Sequence, residues 1–185
     1  MNGRLKGSLL VVVAAALLCS AGALDAQSRS SRAHEKGGIG YFLGGIGWML
    51  ESGEASLVGS TGGGGASITN RWVLGGEGHS SFGSSSAGGY GFLNVGYAVV
   101  AEDFVLVYPL VGLGGGAVTS AIDSSVSKCA LLNPSIAVDF LLPLGKDSGI
   151  LLGLHAGYTF SVYSNTFDWS MPHLRLALGG YGFGD

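Results

Sequence analysis

Glu77, His79 and Ser81 stand two residues apart in the stretch Gly75 to Ser81. Residues at that spacing on a strand share one face. A carboxylate, an imidazole and a hydroxyl are the parts of a nucleophile, its base and the group that orients the base, so the chemistry would be acyl transfer. The spacing itself argues against a relay. With the rise of a strand, β-carbons two apart lie about 6–7 Å from each other, too far for neighbours to bond readily. Glu77, His79 and Ser81 are therefore only weak catalytic candidates, and no enzyme is expected. The same three side chains read more simply as part of a polar interior.

Other chemistry finds less support. The chain has four His, and His79, His155 and Cys129 show no metal-ligand spacing, so no metal is expected. Gly112 to Gly116 has the composition of a phosphate loop but lacks the Lys-Ser/Thr ending and a following helix, so no nucleotide or other cofactor is expected. Cys129, beside Lys128, is expected to be a quiet loop residue.

The positioning elements come after a leader. Residues 1–23 carry the marks of a secretory signal: Arg4 and Lys6, an apolar stretch from Leu9 to Leu18, and the small-x-small Ala21-Gly22-Ala23. Cleavage after Ala26 is a second option. The apolar stretch is shorter than the about 20 residues a spanning helix needs. Leu18, before Cys19, is bulkier than lipoprotein processing normally tolerates. Only Cys129 then remains, which excludes an internal disulfide. Residues 27–36 (QSRSSRAHEK) read as a polar linker and 37–185 as one barrel domain. Nine Lys+Arg against twelve Asp+Glu argue against nucleic acid as a partner. Charged residues are 11% of the chain, while a soluble surface usually carries about 25–35%. A secreted chain poor in charge, without an apolar helix of spanning length, fits a closed barrel in a membrane, where every backbone group pairs.

Eight strands are expected: Gly38 to Leu50, Leu57 to Ile68, Trp72 to Ser81, Gly89 to Val100, Phe104 to Val118, Ala130 to Leu142, Gly149 to Tyr163 and Pro172 to Phe183. Most exceed the roughly 9–11 residues of a tilted transmembrane strand. The connectors alternate. Thr69-Asn70-Arg71, Ala101-Glu102-Asp103 and Gly145 to Ser148 are short and polar, as periplasmic turns are. Ser80 to Gly88, Thr119 to Cys129 and Ser164 to Met171 are longer and Ser-rich, as external loops are. Trp169 would stand at a loop tip as a contact residue. Phe42, Trp72, Tyr97, Phe104, Phe140 and Phe183 would line the periplasmic boundary; Trp48, Phe92 and Phe160 would line the outer one. Pro109 and Pro134 fall inside strands, where each removes a ladder hydrogen bond, and so suggest bulges or irregularity.

Period-two alternation divides the strands into two faces. Leu132, Ile136, Val138, Phe140 and Leu142 oppose Asn133, Ser135, Ala137 and Asp139. Ile150, Leu152 and Leu154 oppose Gly153, His155 and Gly157. The charge deficit turns the apolar face outward. By parity Glu77, His79, Asp139, His155 and Arg175 then point into the lumen. Buried charges persist only when paired, so Arg175 is expected to bond Glu77 or Asp139, with His155 nearby. An eight-stranded barrel is just wide enough for side chains to fill, so no pore is expected.

Gly75-Gly76-Glu77-Gly78-His79, Gly89 to Tyr97, Tyr108-Pro109-Leu110, Gly112 to Gly116, Val138 to Gly145 and Gly157 to Phe160 together resemble a family of small secreted bacterial β-barrel proteins of unknown function. The resemblance covers roughly Gly37 to Gly182. More loosely, the mature chain is similar to small eight-stranded outer-membrane barrels. That implies an all-β, antiparallel up-and-down barrel in the bacterial outer membrane. The partners it implies are outer-membrane lipid and the barrel-assembly and periplasmic chaperone machinery. Two residues follow Phe183, where many such barrels end on an aromatic. The role expected is structural or adhesive, through the external loops, with an unknown loop ligand. A secreted soluble barrel binding an apolar ligand is one alternative. An outer-membrane lipid hydrolase acting through Glu77, His79 and Ser81 is the other, since lipid A deacylases use His, Ser and Glu on such a barrel.

Overall fold

A run that alternates bulky apolar with small or polar residues makes a strand with two unlike faces, and two unlike solvents satisfy it. The computed structural model describes residues 36–51, 54–83, 86–120, 125–164 and 169–184. The expected leader and nearly all of the polar linker lie outside the described residues; Lys36, its last residue, opens the first strand.

The strands are β1 (Lys36–Glu51), β2 (Glu54–Thr69), β3 (Trp72–Gly83), β4 (Ser86–Tyr97), β5 (Val100–Glu102), β6 (Val105–Ser120), β7 (Val126–Pro143), β8 (Ser148–Ser164) and β9 (Met171–Gly184). Short β5 continues β4 along the same edge of β6, so nine strands make eight staves. Every neighbour is antiparallel. β1 pairs β9, and β4 pairs β6, which closes the sheet on itself. The fold is an eight-stranded, antiparallel up-and-down barrel.

Its register fixes its shape. Inward-facing partners lead from Gly37 to Ile68, Val73, Gly96, Leu110, Ser135, Gly157 and His173, and the circuit returns to β1 at Gly47. One turn around the barrel therefore climbs ten residues, the shear from Gly37 to Gly47. With the usual strand rise and spacing, that shear tilts eight strands by roughly 40°.

The connections differ between the two ends. At the end where β1 begins and β9 finishes (the terminal end), Thr69 pairs Trp72 across a two-residue turn. Asn70 and Arg71 there have φ of 49° and 69°, the left-handed pair of a type I′ hairpin. Glu102 pairs Val105 in a second two-residue turn. At the far end the expected long loops are corrected. Ser80 to Gly83 and Ser86 to Gly88 belong to β3 and β4, and Val126 to Cys129 begin β7. Ser- and Gly-rich stretches read as loops because they lack bulk. In a closed barrel each has a strand on either side, and the ladder continues through them. The core of the third expected loop, 165–168, lies outside the described residues.

Both prolines sit where pairing is interrupted. Pro109 lies opposite the break between β4 and β5, where the register against β6 shifts by one and the Val99 amide donates to the Val107 carbonyl at 2.9 Å. At Pro134 the β7–β8 ladder skips from Leu132↔Phe160 to Ser135↔Gly157 without changing register. A true register shift falls between Ala130 and Leu131.

The faces separate by chemistry. Phe42, Leu74, Leu93, Leu113, Ile136, Leu152, Leu176 and Leu178 are exposed on the outside, the largest being Phe42 at 78%. Trp72 and Tyr97 pack edge to face at 5.5 Å near the terminal end, with Phe104 and Phe140 also outward. Trp48 and Phe82 face out toward the far end. Two of the expected boundary aromatics are corrected: Phe92 is buried inside, and Phe183 packs inward against the buried cluster around Tyr41. Each falls on the inward parity of its strand, beside Tyr90 and Tyr181.

Inside, two apolar clusters form. One holds Ile39, Tyr41, Leu43, Leu106, Leu141 and Leu151; the other holds Val58, Tyr90, Phe92, Val118, Leu131, Trp169 and Met171. Inward glycines make room for large neighbours. A β-carbon on Gly62 would stand 2.7 Å from His79 Nδ1, whereas one on outward Gly78 would meet nothing within 4 Å. Gly62→Ala should therefore destabilise the barrel by about 1–3 kcal/mol through overpacking. Gly78→Ala should be neutral or stabilise it by about 0.5 kcal/mol. Urea midpoints of the refolded variants in detergent check the contrast; equal shifts would refute this account of the inward glycines.

Candidate functional site

The charged and imidazole side chains of the lumen, with Tyr90, come from five staves and meet because each lies at inward parity. Glu77 and His79 extend from β3, Tyr90 from β4, Asp139 from β7, His155 from β8 and Arg175 from β9. His79 is the cross-strand partner of Tyr90, and His155 is that of Arg175.

Arg175 is the centre of the first group. Its Nη1 donates to Glu77 Oε1 at 3.3 Å and lies 3.4 Å from His79 Nε2, and its Nη2 donates to the Tyr90 hydroxyl at 3.4 Å. His79 Nε2 is also 3.3 Å from Glu77 Oε1. The Tyr90 ring stacks on His79 with centroids 5.1 Å apart. Asp139 is the centre of the second group. It takes no bond from Arg175. Its Oδ2 accepts from the Tyr108 hydroxyl, and its Oδ1 lies 2.9 Å from His155 Nε2. Tyr41 and Tyr108 both set their rings edge-on to His155. A third, looser group joins Thr159 to Asn133 and His173, each at 3.5 Å.

Glycine supplies the space these groups occupy. β-Carbons on Gly45, Gly64 and Gly153 would collide with Arg175, Glu77 and Asp139 respectively. Sequence reasoning missed Tyr41, Tyr90, Tyr108 and His173. His173 had a signal, since it precedes Arg175 by two and shares its face. Tyr108 had none, because its strand is apolar on both faces.

The weak catalytic trio is not assembled as a relay. Ser81 Oγ donates to the Gly88 carbonyl at 3.4 Å, while His79 Nε2 turns to Glu77 and Arg175. Among the described residues no group of three His, Cys, Asp or Glu is placed to hold a metal ion. Two loop assignments are corrected. Cys129 lies in β7, is buried, and donates to the Gly116 carbonyl at 3.5 Å. Trp169 is only 1% exposed and packs edge-on to Tyr90 at 6.5 Å. An indole has more apolar area to bury than a loop tip can cover, and the buried cluster of Val58, Tyr90, Phe92 and Val118 takes it in.

No protein-family model matches the chain, and no curated protein does. Its fold is similar to solved structures. Neisserial surface protein A aligns with a TM-score of 0.57 at 11% identity, covering 83% of this chain and 100% of that one. Ail, the attachment invasion locus protein of Yersinia pestis, in complex with the heparin analogue sucrose octasulfate, aligns with a TM-score of 0.58 at 14% identity, covering 80% of this chain and 99% of that one. At such identities the likeness establishes the fold, that of the small eight-stranded outer-membrane barrels.

Arg175→Met removes the only guanidinium that meets Glu77 among the described residues. A buried carboxylate stripped of its partner typically costs about 3–5 kcal/mol. The variant should unfold at distinctly lower urea than the wild type, read from the folded and unfolded bands of unboiled gels. An unchanged midpoint would remove the ion pair from the list of stabilising contacts.

Proposed function

We propose that the protein is a small barrel of the bacterial outer membrane, filled by its own side chains, closed to diffusion, and structural or adhesive in role. The observation that carries this reading is the inversion of the two faces. Leu93, at 76% exposure, and its counterparts around the ring face outward, while Glu77, Asp139 and Arg175 are inside. Water outside would strip that arrangement of its hydrophobic stabilisation; hydrocarbon outside supports it. The aromatic residues toward both ends of the apolar band fit the two interfaces of a bilayer. The terminal end, with its two-residue turns and charged Lys36, Glu102, Asp103, Lys146 and Asp147, would face the periplasm. The secretory leader supports the same destination.

The runner-up, a soluble barrel with an apolar ligand inside, is disfavoured by the charged lumen. Lipid hydrolysis is disfavoured by Ser81, which lies inside and bonds a backbone carbonyl rather than His79. Outer-membrane lipid and the barrel-assembly and periplasmic chaperone machinery would be its partners. An adhesive contact would use the far rim, where Leu57, Val126, Val162 and Tyr163 are exposed. Ail was solved with a heparin analogue. In this chain Lys128 is the one cation of that rim among the described residues, so the rim favours an apolar or neutral contact over a polysulfated one.

Fractionation of expressing cells tests the reading. The protein should reach the outer membrane and run at different positions on gels when boiled and unboiled. Purified into planar bilayers, it should give no ion-conducting steps. Recovery in the soluble periplasm would reject membrane insertion, and regular conductance steps would reject the filled lumen.

A further inference from the structure

We propose that the Trp169 indole is the stopper of the lumen at its far end, seated in a built site for a planar aromatic ring that admits free indole once the side chain is cut back. The wall does not fill that end by itself. Gly47, Ser81, Gly88, Gly116 and Ser127 point inward there from β1, β3, β4, β6 and β7, and none has bulk to reach across. Nor can the wall gain bulk. A β-carbon on Gly116 would stand 2.6 Å from that of Tyr90, and one on Gly88 would stand 2.8 Å from Val118 Cγ2.

Trp169 supplies what the wall lacks. It joins a buried cluster with Val58 of β2, Tyr90 of β4, Val118 of β6, Cys129 of β7 and Met171 of β9, each near the far end of its strand. Five of the eight staves therefore meet in the cluster. Among the described residues of that cluster, Trp169 alone stands outside the strands, two residues before β9 begins. Paired strands around a removed side chain relax only partially, so the space persists. The floor of the site is aromatic. Tyr90 meets the indole edge-on at 6.5 Å, Phe92 meets Tyr90 at 5.6 Å, and His79 stacks on Tyr90 at 5.1 Å. Such edges and faces suit another flat ring. The Tyr90 hydroxyl accepts from Arg175, so the stopper also covers the way to the Arg175–Glu77 pair. The inference deepens the filled-lumen reading above and rests on it, but not on what surrounds the barrel.

Cys129, buried in the same cluster, is the native reporter. In the full chain carrying Cys19→Ser it is the one thiol. Refolded in detergent micelles, this parent should resist a charged maleimide. After Trp169→Ala, Cys129 should react roughly tenfold faster or more, since its protection no longer requires the barrel to open. Free indole should slow that reaction and raise the urea midpoint of the Trp169→Ala variant by mass action, and leave the parent unchanged. A Trp169→Ala variant as protected as the parent, or one that ignores indole in both readouts, overturns the proposal. So does a parent whose Cys129 reacts as fast folded as in urea. If Trp169→Ala does not fold, the milder truncation Trp169→Val is judged by the same two readouts. Conductance steps from the unsubstituted protein would reject the filled lumen as a whole; an indole-insensitive variant of a non-conducting barrel rejects the stopper alone.

Discussion

Closure of eight staves at a shear of ten, from Gly37 to Gly47, is the constraint on which the rest depends. It sets the width of the lumen before any side chain is placed in it. A lumen of fixed width cannot expand to admit bulk, so each large inward residue needs a small one beside it. Thus Arg175 has Gly45, His79 has Gly62, Glu77 has Gly64 and Asp139 has Gly153. The 35 glycines of the chain are not uniform in this respect. Inward Gly45, Gly62, Gly64 and Gly153 are demanded by sterics, while outward Gly40, Gly44 and Gly78 have open space where a β-carbon would go.

The same width explains why the interior is polar in groups rather than throughout. Buried charged side chains must find each other. Arg175 reaches Glu77 across the barrel, and Asp139 settles with His155 and Tyr108. Apolar clusters form around Leu106 and Leu141 and around Phe92 and Trp169. Outside, the band of Leu, Ile, Val and Phe meets no polar partner and needs none in hydrocarbon. The fold rests on that division between faces, and so does the membrane setting proposed for it.

Much of this was legible from residue order. The start of β3 was placed at Trp72, β6 was found as a strand, and β7 to β9 were found with their faces correctly divided. The far-end margins were read short. Ser86 to Gly88 and Val126 to Cys129 have loop composition, yet the strands on either side pair with them. Phe92 and Phe183 were assigned to boundaries by height along the strand, although parity placed them inside. For an aromatic in a barrel, parity outranks height, because only parity decides which solvent the ring meets.

The sequence by itself determined the number of staves, their approximate spans and, where polar and apolar residues alternate, the side each residue takes. These follow from a period of two and from turn chemistry, both of which act over a few residues. Only the tertiary structure decided which inward residues meet. Glu77 and Arg175 are 98 positions apart, and nothing in either segment records their common height. That height is set by the register accumulated around the whole ring, and it exists only once β1 has paired with β9. The same closure chose Glu77 rather than Asp139 as the partner of Arg175, and drew Trp169 from an expected loop tip into the lumen's mouth.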